Sequence, residues 1–239
     1  MSTFLELAND VRAQSGISGE GPTSVRNQIG IQADIVRWVK EAYADIQTKK
    51  ENWNFLHSAY QFTLQGGQNL YNPAQLVGSN GAIGVRTATL DTFRIYDAVK
   101  QEWSILKYVP WSVWQIDREI LKDTERGIPR KYTVDPSNNY QFFPYEISNV
   151  NPVDNIDHLV KFYGFSRPDV MTDNGDKPIF HEQYHELIKL QALMRYGEYY
   201  NAQEVYQSAR FMFEVQFEAM LYSEMPRDYL VTPPFVPFA

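Results

Sequence analysis

The residues His181-Glu182-Gln183-Tyr184-His185 fit the H-E-x-x-H pattern of zinc hydrolases. On a helix the two histidines stand one turn apart and reach one zinc, with Glu182 as general base. A third ligand is then required, and Glu198, Glu204 and His158 are the candidates nearby in sequence. The pattern is short enough to arise by chance in roughly one in a hundred chains of this length. Its position is also poor, because His181 falls at the expected helix start and the charged Glu186 follows directly. The competing reading makes His181 and Glu182 first-turn polar residues. Tyr184 and His185 then pack or hydrogen-bond near a strand-rich region. We therefore assign no metal, no cofactor and no catalytic residue from the sequence.

Other groupings are weaker still. Asp117/Glu119, Asp169/Asp173/Asp176 and Glu214/Glu218 are possible acid/base pairs for glycoside cleavage, but no spacing selects one. Asp173-Asn174-Gly175-Asp176 resembles part of a calcium loop without its twelve-residue ligand pattern, which favours a plain acidic turn. Gly78, Gly81 and Gly84 lack the spacing and the lysine of a phosphate loop. Five tryptophans (Trp38, Trp53, Trp103, Trp111, Trp114) could form a carbohydrate platform, but core or subunit-interface roles are the ordinary expectation.

The 239 residues include 44% hydrophobic and 15% aromatic side chains, enough for a packed core. The formal net charge of −7 argues against a protein that grips nucleic acid, though not against one that nucleic acid slides past. With no cysteine there is neither a disulfide nor a thiolate metal site. No apolar run reaches the ~18 residues of a membrane span, and Glu6 and Asp10 interrupt any secretory core in residues 1–12. Synthesis and first use in a cytoplasm are expected.

The helices are read from periodicity. Phe4, Leu7, Ala8 and Val11 share one face, predicting a helix over about 3–14 that ends at the turn Gly16 to Pro22. Ile31, Ile35, Trp38, Val39, Ala42 and Ile46 predict a second over about 28–49, with Lys49-Lys50 suited to its C-terminal dipole. Residues 181–222 read as two helices broken at Tyr199-Tyr200-Asn201. Tyr184, Leu187, Ile188 and Met194 mark the first of these. Tyr206, Ala209, Phe213, Phe217 and Met220 mark the second. Asp176 and Pro178 precede this pair as a start signal.

Between the helical pairs the pattern changes to short strands. Tyr60, Phe62 and Leu64 alternate with polar or small residues. Residues 86–96 and 102–108 read as further strands, and 110–122 as a short helix bearing Trp111, Trp114, Arg118 and Leu121. Tyr132/Val134 and Tyr140/Phe142 form a predicted hairpin, and 159–165 a last strand. The fold class is α+β. Residues 1–56 and 178–222 are expected to pack as a helical bundle. Residues 57–177 form a strand-rich insertion, and 223–239 an extended C-terminal arm.

That arm combines prolines with large apolar side chains. Tyr229, Leu230, Pro233, Pro234, Phe235, Val236, Pro237 and Phe238 suit docking into pockets of another chain, because prolines reduce the entropy lost on ordering.

Several soft motifs run through nearly the whole chain. They include Thr3-Phe4-Leu5-Glu6-Leu7, Gly16-Ile17-Ser18-Gly19 with Gly21-Pro22, Ile35-Val36-Arg37-Trp38-Val39 and Ala42-Tyr43-Ala44-Asp45-Ile46-Gln47. Trp53-Asn54-Phe55-Leu56 leads into a strand. Gly127 to Tyr132, Phe143-Pro144 and Val160-Lys161-Phe162-Tyr163 follow. Pro178 then precedes Tyr184 to Ile188 and Ala192 to Tyr196. Together these resemble the head-to-tail adaptor (head–tail connector) proteins of tailed double-stranded DNA bacteriophages. The resemblance implies a structural, non-enzymatic virion protein at the head–tail junction. It implies a homo-oligomeric ring, typically a dodecamer, beneath the portal protein ring. The C-terminal arm would reach the portal, tail (nozzle or tube) proteins would attach below, and DNA would pass the channel without sequence-specific binding. The acidic balance suits such a channel. The alternatives are a virion-associated hydrolase, zinc-dependent or peptidoglycan-cleaving, and a tail or baseplate structural protein.

Overall fold

The computed structural model describes residues 2–65, 68, 70–81, 83–97, 100–121, 127–137, 139–143 and 158–225. The chain divides into two units. One comprises residues 1–56 and 168–239, and the other 57–167. The fold is α+β.

In the first unit α1 spans Phe4–Gln14 and α2 spans Ile31–Thr48. Thr3 caps α1 in a capping box: Thr3 Oγ1 accepts the Glu6 amide at 3.3 Å, and Glu6 Oε2 accepts the Thr3 amide at 2.9 Å. Gly16, at φ +72°, stops this helix in the left-handed region that favours glycine. α2 begins at Ile31, the first residue of its apolar stripe and three residues after the predicted start near 28. Asn27 and Gly30 both hold positive φ and cannot continue a helix.

α4 (His185–Tyr199) and α5 (Gln203–Glu224) meet at the break around Asn201, itself at φ +53°. α4 packs against α1, α2 and α5, and α1 against α2. Gly197 permits the close α4–α5 crossing: a Cβ there would lie 2.9 Å from Tyr206 Cβ and 3.0 Å from its backbone nitrogen.

Among the described residues the second unit holds nine strands and one α-helix. Its five-stranded sheet runs β1 (His57–Leu64), β9 (His158–Ser166), β4 (Arg94–Asp97), β5 (Glu102–Ile105), with β3 (Val85–Ala88) also paired to β9. β1 and β9 are antiparallel over eight residue pairs, from His57↔Phe165 to Leu64↔His158. Its four-stranded sheet runs β2 (Leu70–Tyr71), β8 (Tyr140–Phe143), β7 (Lys131–Val134), β6 (Lys107–Tyr108). β7 and β8 form the expected hairpin, pairing Tyr132↔Phe142 and Val134↔Tyr140.

The two stretches read as single strands each divide. Residues 86–96 become β3, a 3-10 turn at Leu90–Thr92, and β4. The turn is pinned from outside, because Tyr132 Oη donates to the Leu90 carbonyl at 2.6 Å. Residues 102–108 divide at the buried Leu106, so β5 joins one sheet and β6 the other. α3 covers Trp111–Leu121, with Trp114 buried.

The core of this unit lies between the sheets and is strongly aromatic. Phe93 stacks between Tyr132 and Phe162, with ring centroids 4.1 and 4.3 Å away, and meets Tyr140 edge-on at 5.2 Å. Each such pair adds about 0.5–1.5 kcal/mol beyond the area buried.

Candidate functional site

The H-E-x-x-H residues do not lie inside one α-helix. His181 is the N-cap of a 3-10 turn at Glu182–Tyr184, its Nδ1 accepting the Gln183 amide at 3.3 Å. The α-helix begins only at His185. His185 is buried, and its Nε2 donates to the Phe180 carbonyl at 3.2 Å. Its Nδ1 is enclosed without a hydrogen-bond partner. Burial pushes its pKa down, since a charged ring would be desolvated. Tyr184 Oη bonds to Ser223 Oγ of α5 at 2.5 Å. Tyr184 and His185 thus both bond to partners of the helical unit. Among the described residues no group of three His, Cys, Asp or Glu side chains could hold a metal ion.

The acidic turn of 173–176 is structural. Asp176 accepts the amides of Thr172 at 2.6 Å and Asp173 at 2.8 Å, which hold its carboxyl below the usual carboxylate range. The turn also receives the start of α1: Phe4 N donates to the Asp176 carbonyl at 2.8 Å, and Leu5 N to the Asn174 carbonyl at 3.3 Å. Asn174 Oδ1 accepts the Val25 amide at 2.8 Å, and Arg26 pairs with Asp173. Glu214 pairs with Arg210 on the exposed side of α5. The side chains of Asp117 and Glu119 lie outside the described part of the molecule.

Asp169 joins a different network. Tyr43 Oη donates to Asp169 Oδ2 at 3.0 Å and accepts the Ile179 amide at 3.0 Å. Gln47 Nε2 donates to the Asp169 carbonyl at 3.0 Å, and Gln47 Oε1 accepts the Asp169 amide at 2.7 Å. Tyr43 and Gln47 are fully buried on α2, so this clamp fixes the segment that leads to His181. Burial, then the Asp169 carboxylate, raises the Tyr43 pKa far out of the physiological range.

Two ion-pair groups fasten α4 to its neighbours. Arg195 reaches Glu41 at 2.7 Å and Asp45 at 2.6 Å on α2. Lys189 pairs with Glu186 and reaches Asp10 of α1 at 3.4 Å. Trp38 of α2 packs among Tyr196, Tyr199 and Tyr200 at the C-terminal end of α4. Lys49 sits over the rings of Phe213 and Phe217, and Trp53 meets Phe217 edge-on at 5.9 Å. Trp38, Trp53 and Trp114 are buried, whereas Trp103 is half exposed.

The expected arm residues Tyr229, Leu230, Pro233, Pro234, Phe235, Val236, Pro237 and Phe238 all lie outside the described residues. Two surfaces that the sequence reading passed over are described. α5 buries Ala209, Phe213 and Met220, yet it exposes a second apolar row: Phe211, Val215 and Tyr222 at 67%, 55% and 75%. Their spacing of four and seven residues was visible in the sequence as a second stripe. In the five-stranded sheet, register sets Arg94 beside Lys161 and Ile105, and Tyr96 beside Leu159 and Trp103, on the face turned away from buried Ile95 and Val160. That grouping follows from pairings across long sequence separations, which no local pattern displays.

The geometry supplies no assembled reaction centre among the described residues, and its shaped features are interhelical clamps and exposed apolar faces. The chain matches the SU10 adaptor protein family over residues 2–236 and belongs to that family. No curated protein matches it. It is thus a phage structural adaptor protein, a component of the virion that interacts with other virion proteins. No helix among the described residues is long and apolar enough to cross a membrane.

Proposed function

We infer that this adaptor acts at the head-to-tail junction. Its copies form a dodecameric ring beneath the portal ring, with α1, α2, α4 and α5 as the bundle that continues the DNA channel. Tail proteins attach to the opposite side of the ring, and DNA passes without sequence-specific contacts. The C-terminal arm, through Tyr229, Leu230, Phe235, Val236 and Phe238, docks on the portal. The observation that carries this reading is the family match, which spans both units and runs on through residue 236 into the arm. Ring closure multiplies each weak arm contact, so modest individual affinities suffice for stable attachment.

The test is binding of the purified chain to its cognate portal ring, followed by particle mass and two-dimensional class averages. A second arm of the test uses the chain cut after Met225. The expected result is a stoichiometric added ring with the intact chain and none with the cut chain. If both add a ring, the arm has no docking role. Failure of both folded proteins to bind would remove the head-to-tail assignment.

A further inference from the structure

The charge of this protein is divided unevenly between its two units. Residues 57–167 contain eleven Lys/Arg and eleven Asp/Glu, whereas the remainder contains eleven against eighteen, so the whole −7 belongs to the helical unit. Within the neutral strand unit the exposed sheet face is cationic. Arg94 and Lys161 stand directly opposite each other across β4 and β9. Like charges in that arrangement destabilise a sheet. No described carboxylate pairs with either. Gln61 and Ile105 complete their row, and the next row on this face is Thr63, Leu159, Tyr96 and Trp103, with no acid in either. Ile105 is 72% and Trp103 47% exposed, and both lie on β5, whose four residues are all exposed at the end of the sheet order.

The outer row of α5 has the opposite character. Glu204, Phe211, Val215, Glu218 and Tyr222 share one helical face and are all exposed. Neither Glu204 nor Glu218 has an ion-pair partner among the described residues. One surface is therefore apolar with unneutralised cations and the other apolar with unneutralised carboxylates. In the single chain the α5 row is exposed, and on the sheet face Arg94, Trp103 and Ile105 are exposed while Lys161 and Tyr96 are half-buried.

We propose that these two surfaces bind each other between copies: the Arg94/Lys161 face of the five-stranded sheet receives the Phe211–Val215–Tyr222 row of α5 from a second copy. The contact joins unlike surfaces, so each copy offers one of each and the arrangement propagates head to tail until rotation closes it. This inference rests on the ring reading and names the contact that would build the ring. Burial of the apolar rows supplies affinity, while the charges set the register and reject the like-with-like pairing of two acidic helices.

The experiment measures self-association of the full chain by sedimentation velocity, with circular dichroism to verify folding. R94E/K161E and E204K/E218K are each expected to weaken association at least about tenfold. An equimolar mixture of the two is expected to restore it, because the reversed sheet meets the reversed helix while the unaltered pair also matches. As the chain has no cysteine, I105C and V215C variants give a clean cross-link test: disulfide dimers should form in their mixture, and neither variant should form them alone.

Association unchanged by both charge reversals, or weakened by both and not restored on mixing, overturns the contact while wild-type assembly keeps the ring. A wild-type chain that stays monomeric at millimolar concentration and gives no cross-link also overturns it; the portal assay then decides the ring reading separately. Quenching of tryptophan fluorescence by an oligothymidylate, lost in R94E/K161E, would instead assign the sheet face to single-stranded nucleic acid.

Discussion

Tyr43→Phe isolates the clamp between α2 and the segment leading to α4. The substitution keeps the ring, which packs 5.7 Å from Phe180, and removes only the hydroxyl. Two hydrogen bonds are lost, one to the Asp169 carboxylate and one from the Ile179 amide. An ordinary hydrogen bond is worth about 1 kcal/mol net, and one to a charged group about 1.5–3 kcal/mol. Asp169 and Ile179 are only half-buried, so water can partly replace the hydroxyl. The expected loss is about 2 kcal/mol, which for a chain of this size lowers the melting temperature by about 4–8 °C. Urea unfolding followed by fluorescence measures the free energy, and calorimetry the temperature. Gln47→Met removes the other half of the clamp. Because both side chains hold Asp169, the double variant should lose less than the sum of the single losses. A Tyr43→Phe loss below about 0.5 kcal/mol, or strict additivity with Gln47→Met, would refute the clamp as a coupled unit.

Three further outcomes are expected. Gly164→Ala should destabilise the protein by about 1–3 kcal/mol, because the new Cβ would lie 2.7 Å from the Thr87 carbonyl oxygen; Gly175→Ala, in open space, is the neutral control in the same urea titration. The folded-state pKa of His185 lies below its ordinary 6.5, so in the window between the two the unfolded chain binds a proton that the folded chain refuses. Stability should therefore fall as pH drops from about 6.5 through the folded-state pKa, and His185→Gln should flatten that slope in calorimetric scans at stepped pH. Arg195→Met should cost about 1 kcal/mol in dilute buffer, and less in molar salt, since its pairs with Glu41 and Asp45 are partly solvated; unchanged salt dependence would remove the ion pairs as the cause.

The helices were legible because their apolar residues recur at three- and four-residue steps against polar neighbours. The α4–α5 break was legible because three consecutive non-stripe residues end in an asparagine able to take positive φ. The short strands were legible in place but not in partnership. Nothing local to 86–96 announces that Tyr132, more than forty residues away, will hold Leu90 in a 3-10 turn. Nothing local to 102–108 states that Leu106 will turn the chain from one sheet into the other. H-E-x-x-H, which the sequence reading set aside for its position at a helix start, fails on geometry: its spacing presumes a continuous helix, while His181 caps a 3-10 turn and His185 is buried with its Nε2 on the Phe180 carbonyl.

The antiparallel pairing of β1 with β9 has a consequence for how the protein folds. Seen from the helical unit, residues 57–167 are a closed loop of roughly 110 residues, and closing a flexible loop of that length costs on the order of 4 kcal/mol in chain entropy. Hydrogen-bonded pairing from His57↔Phe165 onward holds the two ends of that loop adjacent without any contribution from the contacts between the helices of residues 168–225 and those of residues 4–48. A folded strand unit therefore removes most of that entropic cost. Melting it would return the cost to the helical unit, linking the stabilities of the two units through chain connectivity alone.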